Sequence, residues 1–91
     1  MTKRVAFRVS GLVQGVFFRD FTQKTANGIG LTGWVRNTMD GKVQGEAQGD
    51  EEGIQKLLAA VAQGPRLARV EKVEHNEIDL KDGESKFLVV R

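Results

Sequence analysis

The hydrophobic pattern of this chain changes period repeatedly, and that alternation between strand and helix spacing restricts the fold more than any other feature. Val5, Phe7 and Val9 alternate with Ala6, Arg8 and Ser10, the period-two signature of a half-buried strand over residues 5–10. Gly11 to Gly15 then interrupt it. From Phe18 the apolar residues Phe18, Phe21, Ala26 and Ile29 share one face at helical spacing, and Gly30 stands where a helix stop belongs. Gly28 in the last turn costs about 1 kcal/mol relative to alanine, which predicts a frayed end. A second strand is expected over residues 31–37, carrying the single tryptophan, Trp34. Thr38-Met39-Asp40-Gly41 reads as a hairpin turn, and a third strand over 42–48 places Val43, Gly45 and Ala47 on one face.

Asp50 is a suitable N-cap for a second helix, with Glu51 and Glu52 at the positive end of its dipole. Ile54, Leu57, Leu58 and Val61 follow at i, i+3, i+4 and i+7, an amphipathic stripe that Gly64-Pro65 ends. Strands are expected at Arg69–Ile78 and at residues 86–90, separated by a polar turn at 81–85. The predicted order is β-α-β-β-α-β-β, an α+β class. It is the ferredoxin-like split βαβ arrangement, βαββαβ plus a short fifth strand, with two helices on one face of a mainly antiparallel sheet. The 91 residues are expected to form one domain, 1–91.

Composition removes several kinds of chemistry. With 40% hydrophobic and 29% charged residues the chain reads as soluble and globular, and no apolar run approaches the roughly 18 residues of a membrane span. No signal-peptide core follows Met1-Thr2-Lys3-Arg4, so a cytoplasmic location is expected. The absence of cysteine excludes disulfides, thiolate metal sites and a cysteine nucleophile. The one histidine, His75, has no recognisable partner and leaves nothing for a histidine metal cluster. Asp50-Glu51-Glu52 is better explained by helix capping than by metal binding. The net charge of +2 permits an anionic ligand without requiring one.

The segment with chemical potential is Gly11-Leu12-Val13-Gln14-Gly15-Val16-Phe17-Phe18-Arg19. A strand ends, two glycines four apart permit unusual backbone angles, and a helix starts with an arginine in its first turn. Amides in such a loop can form an anion nest beside the helix N-terminus, and Arg19 offers a bidentate fork for phosphate oxygens. The same residues also fit a plain strand–helix connection with a surface arginine. A Walker A loop is excluded, because the lysine followed by Ser or Thr is missing. Asn37, three residues before Asp40-Gly41, reads on its own as a turn residue.

This segment resembles the acylphosphatase signature G-x-V-Q-G-V-x-F-R. Gly33-Trp34-Val35-Arg36-Asn37, Asp40-Gly41 and Val43-Gln44-Gly45 resemble the second block of that family, at the matching spacing. Gln48-Gly49, Gly64-Pro65, Ala68-Arg69-Val70 and Phe87 extend the likeness over nearly the whole chain. The resemblance implies hydrolysis of the carboxyl–phosphate anhydride of acylphosphates. It assigns the phosphoryl group to Arg19 and the loop Gly11, Val13, Gln14, Gly15, Val16, Phe17 and Phe18, and the attacking water to Asn37. It implies no metal, no cofactor and no phosphoenzyme. The partners it implies are a small-molecule acylphosphate and inorganic phosphate, with no nucleic acid and no membrane. Leu12 stands where many relatives carry Lys or Arg. Trp34 and Phe17 are read mainly as packing residues, with walling of the site as a secondary role, and Arg36 as a solvated strand residue rather than a second phosphate ligand.

Two rivals stay open at this stage. A nucleic-acid-binding module shares the fold, although the third strand carries no aromatic residue for base stacking. A domain that binds phosphate without turnover, or an accessory domain of a larger carbamoyl-transfer protein, is the other. A chain that begins with Met and ends just past its last strand favours a standalone enzyme, and a monomer is expected.

Overall fold

The computed structural model describes all of residues 1–91. Its elements follow the predicted order: β1 (Thr2–Leu12), α1 (Phe18–Ile29), β2 (Thr32–Asn37), β3 (Val43–Asp50), α2 (Glu51–Gln63), β4 (Arg69–Ile78) and β5 (Phe87–Val89). The five strands form one sheet in the order β4-β1-β3-β2-β5. β1 pairs antiparallel with β3 and β4, and β2 pairs antiparallel with β3, whereas β5 lies parallel to β2. This is the ferredoxin-like α+β sandwich.

Alternation decides which face is covered. Val5, Phe7 and Val9 of β1, Val35 of β2 and Val43 and Ala47 of β3 are buried against Phe18 and Ala26 of α1 and Ile54, Leu57, Leu58 and Val61 of α2. Phe87 of β5 joins the same cluster. Each fully buried side chain of this size stabilises the fold by about 1.5–3 kcal/mol. α1 stays regular through Ile29 despite Gly28, because the Gly30 amide donates to the carbonyls of Ala26 and Asn27 (3.0 and 3.2 Å) and closes the end.

Some boundaries differ from the pattern-based reading. β1 is longer at both ends than residues 5–10: Thr2 pairs with Asp50, and Gly11 and Leu12 pair with Val70 and Arg69 beyond a bulge. Ladder hydrogen bonds, not hydrophobic alternation, hold these extensions. β3 likewise runs on to Asp50, which occupies the N-cap position of α2 but makes no side-chain cap bond. The strand passes into the helix without a loop, so Asp50 is held by the sheet rather than by its carboxylate.

The opposite face of the sheet carries no helix. Arg4 lies there among Glu46 and Gln48 of the neighbouring strand, and the connection between β4 and β5 covers it. The guanidinium donates from Nε to Glu46 (2.8 Å), from Nη1 to Gln48 (3.1 Å) and Glu84 (2.7 Å), and from Nη2 to Glu84 (3.1 Å). Gln48 also exchanges two hydrogen bonds with the backbone of Lys81 (2.9 and 3.0 Å). Because β4 and β5 occupy opposite edges, this connection must cross the sheet, and Arg4 anchors the crossing.

Candidate active site

β1 and β2 both run antiparallel to β3, so their carboxyl ends lie at the same end of the sheet, and β5, parallel to β2, ends there too. α1 starts at that end. The result is a cavity of about 570 Å³ between the first turns of α1 and the ends of β2 and β5. Arg19 and Asn37, 18 positions apart in the sequence, both line it, with Val13, Gly15, Phe17 and Phe18.

The loop that leads into α1 depends on its two glycines in different ways. Gly15 has φ +74°, with open space where a Cβ would lie, so only the backbone conformation requires glycine. Gly11 has φ +128°, and a Cβ there would collide with the Arg69 carbonyl oxygen, so both conformation and space require it. Gly11 therefore belongs to the bulged end of β1 against β4, and it does not line the cavity. Val16 is half-buried against the core.

Gln14 spends its side chain elsewhere. Its Nε2 donates to the carbonyls of Thr38 and Lys42, both at 2.8 Å, and ties the loop to the β2–β3 hairpin. The hairpin is closed by the Thr38 amide donating to Lys42 (2.8 Å) and the Lys42 amide donating to Thr38 Oγ1 (3.0 Å). The Thr38 hydroxyl also donates to Asp40, and that bond is the main cause of an Asp40 carboxyl held below its ordinary range. These contacts fix the residue just before them, Asn37.

Asp20 and Gln23 of the lining have partners, but other polar groups around the cavity do not. No backbone hydrogen bond outside the regular elements is donated by an amide of residues 13–20, a run that includes the first turn of α1, where orphan donors and the helix dipole favour an anion. Arg19 takes part in none of the protein's ion pairs, while its neighbour Asp20 is paired with Lys24 at 3.1 Å. Asn37 Oδ1 is a buried side-chain oxygen with no hydrogen-bond partner. Buried polar atoms are satisfied as a rule, so an orphan lining the same cavity as an unpaired guanidinium marks a place for a polar ligand. No set of three or more His, Asp or Glu side chains converges as a metal-ligand group anywhere in the chain.

Two sequence readings change. Trp34 does not wall the cavity: it lies on the helix-free face, paired across the strands with Glu46, with the Arg36 guanidinium 5.6 Å from its ring centre. Strand alternation sends it to the face opposite buried Val35. Phe17 lines the cavity but is 77% exposed, so it is not a packing residue. The sequence reading also missed Asp20, Gln23, Leu88, Val89 and Arg91, which complete the lining. Gln23 was detectable, one helical turn after Arg19. The residues of β5 were not, because nothing local announces that β5 pairs parallel to β2.

The family model described as Acylphosphatase matches residues 5–89. An acylphosphatase of Salinibacter ruber is 47% identical over 89 residues, covering 98% of this chain and 94% of the relative. Among solved structures, an acylphosphatase from Coxiella burnetii superimposes with a TM-score of 0.93 at 39% identity, covering 98% of this chain and 93% of that one. The acylphosphatase from Bacillus subtilis also gives a TM-score of 0.93, at 35% identity and full coverage of both chains. No helix is long and apolar enough to cross a membrane.

Proposed function

Because this chain belongs to the acylphosphatase family and is an acylphosphate hydrolase, we propose that residues 1–91 act as one catalytic domain in which Arg19 binds the phosphoryl group and Asn37 positions the attacking water. The observation that carries this reading is the meeting, in one cavity, of an unpaired guanidinium and the unpartnered buried Oδ1 of Asn37. Arg19 and the free amides of residues 13–18 complement the charge on the phosphoryl oxygens, and Asn37 Oδ1 accepts a hydrogen bond from the water.

The reaction needs little else. The water oxygen bonds to phosphorus, the bridging P–O bond breaks, and the acyl carboxylate leaves with the electron pair. The proton released from the water passes to a phosphoryl oxygen, so one acylphosphate dianion and one water yield a carboxylate and dihydrogen phosphate. A carboxylate is a good leaving group and requires no general acid, and a loose phosphoryl-transfer transition state is stabilised mainly by positioning and fixed charge. On this reading neither a metal nor a covalent intermediate takes part.

Benzoyl phosphate hydrolysis, followed with chelator present, tests the proposal. Turnover insensitive to chelator and reduced by about a hundredfold or more in Asn37→Ala supports it. Loss of turnover on chelation, or an Asn37→Ala enzyme as fast as the natural one, overturns it.

A further inference from the structure

Phe17 combines a strained backbone with an aromatic ring left in water. It is the one non-glycine residue with a positive φ, 63°, a left-handed conformation in which a bulky side chain is strained. It also leaves its ring 77% exposed. The backbone requirement itself is real: α1 starts at the next residue, and the Phe17 carbonyl accepts the first helical hydrogen bond from the Phe21 amide at 3.0 Å. Glycine or asparagine would meet that requirement with less strain. The aromatic ring therefore has no reason to stand there within the folded chain itself.

Its surroundings give it one. Phe17 lines the cavity two residues before Arg19. Apart from Arg19 and Asn37 the lining mixes polar Asp20, Gln23 and Arg91 with apolar residues, of which Val13 and Phe18 are buried while Phe17 and Leu88 stand exposed. Val89 pairs with buried Val35 and so lies on the helix-covered side of β5, across the cavity from the loop. Asp20 is neutralised by Lys24, and Arg91 is the one other cation at the site. A ligand held at its anionic end by Arg19 thus has the exposed apolar surface of Phe17 and Leu88 within the same cavity.

We propose that Phe17 is a specificity-determining residue and that the acyl group taken by this enzyme is apolar, an aromatic or branched aliphatic one. The proposal rests on the reading of the cavity as the acylphosphate site. An exposed aromatic beside a cavity gains contact and loses water only when an apolar arm lies against it.

The test compares kcat/KM for benzoyl phosphate, acetyl phosphate and succinyl phosphate in the natural protein, Phe17→Ala, Phe17→Asn and Phe17→Leu. The benzoyl-to-acetyl ratio is expected to fall about tenfold in the Ala and Asn variants and to stay within about twofold in Leu. Any disturbance of the loop amides slows both substrates and cancels in the ratio. Phe17→Asn suits the left-handed backbone, so a folding defect does not obscure the result. Hydrolysis of both substrates with an unchanged ratio in Ala and Asn overturns this proposal alone. So does a natural preference for succinyl over benzoyl phosphate, which would assign the acyl arm to Arg91. Failure to hydrolyse any of the three overturns the reading of the site itself.

Discussion

Arg4 and Arg19 stand near opposite ends of β1, and the fold treats them in opposite ways. Arg4 is 1% exposed, and each of its guanidinium nitrogens donates to a carboxylate or amide oxygen, Glu84 most of all. The Glu84 hydrogen bond is also the main cause that holds Arg4 above its ordinary range and Glu84 below its own. Arg19 belongs to no ion pair and lines a cavity with donors and an acceptor that lack partners. A saturated charge has nothing left to offer a ligand, and its work is to join segments distant in sequence. An unsaturated charge among orphaned groups is a stability cost in the free protein, offset only when an anion binds. The state of its partners, more than residue type or exposure, separates the structural Arg4 from Arg19, the arginine left free to meet a ligand.

That contrast can be broken by exchange of readouts. The largest effect is expected for Arg19→Ala: acylphosphate turnover falls by about a thousandfold, while the urea midpoint moves by no more than about 0.5 kcal/mol of stability. A large loss of stability in that variant would show that Arg19 is structural after all. Arg4→Met should do the reverse. It leaves Glu84 and Glu46 without their cation and costs about 3 kcal/mol in urea denaturation, with turnover per folded molecule unchanged. Adding Glu84→Met to Arg4→Met should recover part of that loss, since the uncompensated carboxylate is then removed as well.

Acid titration sharpens the comparison from the same side. Glu84 is depressed from the usual glutamate value of 4.5. A carboxyl depressed in the folded state stabilises it above the ordinary value, and that contribution is lost as pH falls through the folded one. The urea midpoint is therefore expected to decline below about pH 4.5, and Glu84→Gln to flatten part of the decline. The smallest effect is expected at Asp50. A working N-cap costs about 1 kcal/mol when replaced by alanine, but Asp50 makes no cap bond, so Asp50→Ala should change stability by less than about 0.5 kcal/mol.

Much of the fold was legible in the sequence because its signals are local. Alternation in Val5-Phe7-Val9, the stripe Ile54-Leu57-Leu58-Val61 and the Asp40-Gly41 turn each act within a few residues, and the elements follow the expected order although β1 and β3 extend further. Arg19 and Asn37 were singled out for a different reason, the likeness of two spaced blocks to those of a family, and both residues line the one cavity. Other features had no local signal. Arg4 belongs by composition to a basic start, and only the crossing connection that brings Glu84 over it makes it a buried anchor. Trp34 looked like packing with a secondary role as a wall of the site, but its face depends on strand alternation relative to Val35. Gln14 sits inside the loop motif, yet its side chain is committed to the hairpin carbonyls of Thr38 and Lys42.

The order of elements and the glycine-dependent loop before α1 were already fixed at the level of the chain. Those properties depend on backbone conformation and hydrophobic spacing, which act over one or two turns of chain. The assembled sheet alone brings the ends of β1, β2 and β5 together, places Val89 in the same cavity as the Arg19 loop and leaves Phe17 exposed rather than packed. Strand order and parallel pairing are set by contacts between residues tens of positions apart, and no local pattern records them.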